Sequence, residues 1–103
     1  MSVLQAIELA EEWVAKAENG DKTITVRKDK RSYSQGRLIL VAPTKKWCKQ
    51  VTCTSVVHIP LGDISDDIAQ ADGFANTQEL KNKLSEYYGH VPDTTIMTIV
   101  TWE

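Results

Sequence analysis

Hydrophobic residues recur along the chain with two different spacings, which divide it into helical and extended segments. Near the N-terminus the apolar side chains fall at helical spacing, and Ser2 with Gln5 makes a capping pattern in front of them. The Asn-Gly pair at 19–20 is typical of a left-handed helix end. The spacing therefore predicts a helix from about residue 3 to 18, with Trp13 buried.

Segments rich in β-branched and apolar residues follow and predict strands. Four such segments are present, at 22–27, 37–42, 49–59 and 94–102. Two helical segments lie between the third and the fourth strand. The first covers 63–71, and the second begins at the Asn76 cap with Glu79 three residues later and ends at Gly89.

This order of elements predicts an α+β fold formed by a single domain over residues 1–103. Four or five short strands in so short a chain favour a small curled or closed sheet, because closure removes exposed strand edges. The helices are expected to pack on that sheet. One hydrophobic core is the ordinary expectation at this length.

Composition is that of an ordinary soluble domain, with 42% hydrophobic residues, 25% charged residues and a net charge of −2. No apolar run approaches the roughly 18 residues that cross a bilayer, and the N-terminus has no secretory signal pattern. We therefore expect a cytoplasmic monomer that makes no membrane contact.

The charges are unevenly distributed, because residues 22–49 hold nine cations and the single acid Asp29. A basic third on an acidic body predicts a cleft for an anionic ligand. The alternative is a set of solvated strand edges and loops, since lysine also protects edges against pairing. Both interpretations stay open at this point, and we expect the cations to line one cleft.

Cys48 and Cys53 are the only cysteines, and His58 and His90 the only histidines. A zinc site would need four such ligands, but this spacing is a poor match for one. Two reduced thiols are the expected state in a cytosolic chain. No metal and no cofactor is predicted.

Lys22 and Thr25 stand in the most polar of the predicted strands. A threonine hydroxyl becomes a nucleophile only when a base removes its proton, and a lysine can be that base if burial or nearby cations lower its pKa. Arg27 is such a neighbouring cation. The alternative is an ordinary strand with an exposed lysine.

Asp72 precedes a glycine and Phe74, and it is either part of a turn or a general acid that could also pair with a substrate amine. Tyr33, in the polar loop after the first strand, could stack on a base or cover the mouth of the sheet. The chain lacks a phosphate-cradling glycine loop, a G-x-S-x-G elbow and an H-E-x-x-H motif, which excludes those enzyme classes.

Taken in order, these segments resemble the ASCH domain family, whose members are PUA-like β-barrels. The resemblance rests on Gly20-x-Lys22-Thr23-x-Thr25-x-Arg27, the following Tyr33 and Gly36, and the acid-Gly-Phe at 72–74. Within the family the chain is similar to small bacterial N(4)-acetylcytidine amidohydrolases. The resemblance therefore implies a small PUA-like barrel with helices packed on it.

By position, the resemblance implies that Lys22 activates Thr25, which attacks the acetamide, and that Asp72 assists the leaving amine. Arg27, Tyr33 and Thr23 are predicted to bind the substrate, a modified nucleoside or RNA. The family usually has glutamate where this chain has Asp72. A non-catalytic RNA- or nucleotide-binding module of the PUA-like kind is the alternative function.

Overall fold

The computed structural model describes residues 5–103, in which a mixed, curled sheet carries helices on one face and at one edge. Its strands are β1 (Ala6–Glu8), β2 (Ile24–Lys28), β3 (Gly36–Ala42), β4 (Trp47–Pro60) and β5 (Ile96–Trp102). Its α-helices are α1 (Val14–Asn19), α2 (Asp66–Ala71) and α3 (Thr77–Tyr88). Short 3-10 turns occupy Glu11–Trp13, Pro43–Lys45 and Leu61–Asp63.

The predicted helix over 3–18 is wrong for its first half. Residues 6–8 form β1, and helical structure begins only at Glu11, while the predicted cap at Ser2 lies outside the described residues. The extended form buries Ile7 at 2% and Leu9 at 3% exposure, two residues apart as in a strand. The end of the prediction is confirmed, because Gly20 closes α1 in the left-handed conformation with φ 87°.

The strands are hydrogen-bonded in the order β1-β3-β4-β5-β2. The β1–β3 pair is parallel, and the three other pairs are antiparallel. The four strands expected from sequence are all present, and β1 is a fifth. Because β1 and β2 stand at opposite ends of this order and do not pair, the sheet is a curled half-barrel with an α+β architecture, as expected.

Two groups of buried residues form the core, one on each face of the sheet. The first joins β2 and β5 to α2 and α3, through residues that include Val26, Ile99 and Leu80. The second fills the concave side of the curled sheet, through residues that include Leu38 and Leu40. Alternation of side chains along the strands separates the two groups.

Trp13 touches both groups and is half-buried rather than fully buried as expected. Its ring meets Phe74 edge to face, with 4.9 Å between centroids. The helix α3 begins as predicted, since the side-chain oxygen of Asn76 accepts a hydrogen bond from the backbone N–H of Glu79 at 3.0 Å.

Candidate functional site

A cavity of about 340 Å³ opens between the two unpaired edges of the half-barrel. The β1 side contributes Glu8, Leu9 and Ala10, and the β2 side contributes Lys22, Thr25, Val26 and Arg27. The helical wall contributes Leu80, Lys83, Leu84, Tyr87 and Tyr88, and the remaining lining residues are Trp13, Asp72 and Phe74. A mainly apolar cavity with a few convergent polar groups is the usual form of a small-molecule site.

Lys22 and Asp72 form a buried ion pair in the wall of this cavity. Their side chains are only 3% and 5% exposed, and the ammonium contacts the Asp72 carboxylate directly. The Lys22 ammonium also donates to the backbone oxygens of Ile24 at 2.9 Å and of Asp72 at 3.1 Å. The turn before β2 lets Lys22 fold back along the strand, and the end of α2 brings Asp72 against it.

Burial sets the direction of both pKa shifts. Loss of water lowers the pKa of Lys22, and the attraction of Asp72 only partly offsets this effect. Loss of water also raises the pKa of Asp72 to about 6, against the opposing attraction of Lys22. Both shifts favour the neutral amine and the neutral carboxyl, a perturbation that marks candidate functional sites.

Thr25 lies in the same cavity wall, 5% exposed and paired across the ladder with Val100. No hydrogen bond joins its hydroxyl to Lys22, because the three hydrogen bonds of that ammonium go to Ile24 and Asp72. The candidate base, the Lys22 amine, is therefore fully engaged with Ile24 and Asp72 in this state. Transfer of one proton from Lys22 to Asp72 would free a lone pair on the amine.

Arg27 spans the gap between the two sheet edges. Its guanidinium donates from Nη2 to the backbone oxygen of Glu8 in β1. Its Nε is buried and has no hydrogen-bond partner among the described residues. A buried N–H without a partner is costly. The Arg27 guanidinium therefore offers one free hydrogen-bond donor beside the cavity.

Trp13 and Tyr87 form a hydrogen-bonded chain across the mouth of the cavity. The Trp13 indole N–H donates to the Tyr87 hydroxyl at 3.1 Å, and that hydroxyl donates to Glu12 at 2.7 Å. Lys83 pairs with the same Glu12 carboxylate at 3.2 Å. The Lys22 ammonium lies 5.3 Å from the centroid of the Trp13 ring, within the range of a cation–π contact.

The structure places the predicted site residues in two groups. Lys22, Thr25, Asp72 and Arg27 meet at the cavity, although Lys22 and Asp72 are 50 positions apart. Thr23 lines a smaller cavity of about 220 Å³ on the far side of Lys22. Tyr33 packs against the concave core and does not line the main cavity.

The expectation that the cations of residues 22–49 line one cleft is wrong. Of the nine, only Lys22 and Arg27 line the main cavity. Lys45 instead approaches Glu11 at 3.9 Å, and Lys49 donates to the last carbonyls of α1. The sequence could not reveal that the cations are separated, because they lie on strands and loops that are close in sequence but not adjacent in the sheet.

Sequence analysis missed the contribution of β1 and of α3 to the site. Glu8 was placed inside a helix, so its backbone role at a sheet edge was hidden. Leu80 and Leu84, with Tyr88 beside them, lie at helical spacing in α3 and pack on the core. Tyr87 follows Leu84 at helical spacing, and its hydroxyl was the available sign that this residue makes a polar contact.

Within residues 5–103, no three side chains of the His, Cys, Asp and Glu types come together as a metal-binding group. Cys48 is exposed and Cys53 is buried, and both are free thiols. None of the helices in this part of the chain combines the length and the apolar character needed to cross a membrane.

No family model matches the chain, and no curated protein is similar to it in sequence. Crystal structures that are similar to it in fold include the following two. An ASCH domain from Lactobacillus crispatus JV V101 aligns with a TM-score of 0.65 at 13% identity, over 97% of this chain and 78% of that one. The protein EF3133 of Enterococcus faecalis V583, described by the family model DUF984, aligns with a TM-score of 0.66 at 15% identity, over 100% and 76%. The chain therefore has an ASCH-type, PUA-like fold.

Proposed function

We propose that this protein is an amidohydrolase that removes the acetyl group from N(4)-acetylcytidine or a related acylated nucleoside. The observation that carries the proposal is the convergence of Lys22, Thr25 and Asp72, from two distant parts of the chain, on one cavity. The motif resemblance assigns these residues a hydrolytic role. The cavity is of a size that suits a small molecule.

The reaction begins from the neutral pair, in which Asp72 holds the proton that Lys22 has released. The Thr25 oxygen bonds to the acetyl carbon while its proton passes to the Lys22 amine. The bond from that carbon to N4 of the base then breaks, and the leaving nitrogen takes the proton of Asp72. The nucleoside leaves, and the acetyl group remains as an ester on Thr25.

Water completes the cycle by adding its oxygen to the ester carbon. Its proton goes to Asp72, the Lys22 proton returns to the Thr25 oxygen, and acetic acid leaves. The neutral pair is then restored. The opposite pKa shifts of Lys22 and Asp72 support this cycle, because each makes the neutral pair more accessible than it would be in water.

The aspartate at 72 differs from the usual glutamate of the family by one methylene. In this structure the shorter side chain is already in direct contact with Lys22. Asp72 can therefore accept the proton of Lys22 without a longer side chain. Proton delivery to the leaving nitrogen is the step that a longer side chain would help. We expect Asp72→Glu to retain or raise turnover.

Turnover of N(4)-acetylcytidine by the purified protein, followed by chromatography of released cytidine, tests the proposal. Thr25→Ala is expected to abolish turnover with an unchanged fold, and Thr25→Ser to retain part of it. Thr101→Ala, on the neighbouring strand and outside the cavity lining, is the matched control and should turn over substrate like the parent. Turnover by Thr25→Ala at the parent rate would refute the covalent mechanism.

A non-catalytic RNA- or nucleotide-binding module is the second candidate. It is favoured by the occupied state of Lys22, whose ammonium hydrogen bonds all go to acceptors other than Thr25. In that case Lys22 and Asp72 join α2 to β2 and do no chemistry. Binding of cytidine or a short RNA without turnover of the acetylated nucleoside would support this alternative.

The proposal includes a modified nucleoside or RNA as the partner and no cofactor or metal. It also includes a cytoplasmic, monomeric protein with one domain over residues 1–103. Light scattering of the purified protein tests the monomer. Titration of a short RNA at two salt concentrations tests the nucleic-acid partner, since phosphate contacts weaken as salt rises.

A further inference from the structure

The backbone of β2 points alternately toward β5 and toward the cavity side. The Thr23 carbonyl accepts a hydrogen bond from the Trp102 N–H at 2.9 Å, which fixes this alternation. Thr25 and Arg27 then also face β5, as the register requires. Ile24 faces the other way, in agreement with its carbonyl accepting from Lys22. Val26 shares the orientation of Ile24.

The outer edge of β1 faces the same gap from the opposite side. Gln5 and Leu9 bond to β3 through their backbones, at 3.0 Å to Ile39 and 2.8 Å to Val41. By alternation, the Glu8 backbone points away from β3, and its carbonyl accepts from Arg27 across the gap. Two strand edges therefore look toward each other with the cavity between them.

By this alternation the Val26 N–H and C=O do not pair with β5, and no strand of the described residues lies on the other side of β2. They point to the free edge of β2, and Val26 lines the cavity. Backbone groups that are removed from water nearly always find partners. The N–H and C=O of one residue at a strand edge can therefore make two hydrogen bonds to one partner. A planar ligand with an acceptor next to a donor can use both.

We propose that the Val26 backbone binds the hydrogen-bonding edge of a pyrimidine base in this cavity. For a cytosine, the Val26 N–H donates to the ring N3 and the Val26 carbonyl accepts from the exocyclic N4–H. This inference rests on the proposed function only for its choice of ligand. A base fits better than an added peptide strand, because α3 and Trp13 line the cavity and limit its volume to about 340 Å³.

This placement also agrees with the chemistry of the site. With the N3 and N4–H edge held by Val26, the acyl group on N4 projects from that edge toward the neighbouring residues of β2. Thr25 is the next residue, and its side chain lines the same cavity. The strand edge thus orients the base, while the side chains beside it remain free for the reaction.

Amide NMR of isotopically labelled Thr25→Ala protein, titrated with cytidine and with N(4)-acetylcytidine, tests the inference. A new hydrogen bond should move the Val26 amide proton downfield on binding. Lys28 is the matched control, because its amide points to the same free edge of β2 but lies outside the cavity lining. Its resonance should stay in place.

Replacement of the backbone N–H by an ester oxygen at residue 26 provides a second measurement. We expect cytidine to bind about tenfold more weakly, because the ring N3 loses its donor. The same ester at Lys28 should leave binding unchanged. Each ester also weakens the carbonyl of the residue before it, which pairs with β5. The two esters should therefore lower Tm equally.

N(4),N(4)-dimethylcytidine, which lacks the N4–H, should also bind at least tenfold more weakly than cytidine. Binding with the Val26 resonance unmoved, or absence of binding by all three nucleosides, would overturn the inference. Turnover of acetylcytidine by the parent, with no shift of the Val26 amide resonance, would refute this inference and leave the proposed function standing. A Val26 shift without turnover in the parent supports the inference and refutes the amidohydrolase.

Discussion

The stability difference between the Asp72→Asn variant and the parent should shift in favour of the variant as the pH rises from about 4 to 7. Asparagine keeps a side-chain oxygen that can accept from Lys22 but cannot ionise. In the parent, burial raises the pKa of Asp72 to about 6. The folded chain therefore binds this proton at a higher pH than the unfolded chain does, and its stability falls as the proton is lost.

The magnitude follows from the size of that shift. An aspartate in an unfolded chain titrates near 3.9, so the folded value of about 6 is roughly two units higher. Each unit corresponds to about 1.4 kcal/mol of differential stability. The parent should lose about 3 kcal/mol through Asp72 between pH 4 and pH 7, and the asparagine variant should not lose it.

Urea unfolding of both proteins at half-unit steps of pH measures this difference. The exposed Asp67→Asn on α2 controls for the loss of one carboxylate, and its stability relative to the parent should change by less than about 1 kcal/mol. A difference between Asp72→Asn and the parent that stays flat, or that reverses sign, would show that attraction to Lys22 outweighs burial. The neutral-pair starting state of the reaction would then lose its support.

Three further changes probe the walls of the cavity and the core. Gly73→Ala should destabilise the fold by more than Gly20→Ala in thermal unfolding, because both have positive φ but only at Gly73 does an added Cβ meet the Trp13 ring, at 3.2 Å. Trp13→Leu should lower the pKa of Lys22 further in a titration of its Cε carbon, because the ring face favours the ammonium. Leu40→Ala should cost about 2–5 kcal/mol in urea unfolding, because this side chain is fully buried.

Local sequence patterns predicted the elements whose signals lie within one segment. The strands β2 to β5 were found from runs of β-branched residues, because these side chains suit a half-buried pleated surface. The start of α3 was found because its Asn76 cap acts over three residues. In each case the signal lies within the segment itself, although β2 pairs with β5, which is remote in sequence.

The strand β1 was missed because it has only three residues, too few to show a strand pattern of its own, and its partner is remote. Its three residues pair with positions 39–41 of β3, about 33 positions away, and no local signal specifies that contact. The apolar residues around Ile7 satisfy a helical spacing as well as a strand spacing. Leu9 fits only the strand, and it was the one local sign of extended structure.

The candidate site was predicted in part for the same reason. Lys22, Thr25 and Arg27 stand within six positions and form a motif that can be recognised. The contact of Lys22 with Asp72 depends on α2 ending beside β2, where the Thr23 N–H donates to the Ala71 carbonyl at 2.9 Å. Only the folded chain reveals that this pair is buried, and that burial opposes the mutual attraction in shifting the pKa of Lys22 down and that of Asp72 up.

The site lies where the barrel fails to close, and this position explains its chemistry. A free strand edge is normally a liability, because its unpaired groups can bind another chain. Here the edge of β2 and the helix α3 line one cavity, and within residues 5–103 a hydrogen bond from Arg27 to Glu8 joins β2 to β1. Full pairing of β1 with β2 would satisfy the Val26 backbone and remove the cavity. The half-barrel therefore keeps a polar-edged cavity beside Lys22 and Thr25, and one ladder of the sheet stays incomplete.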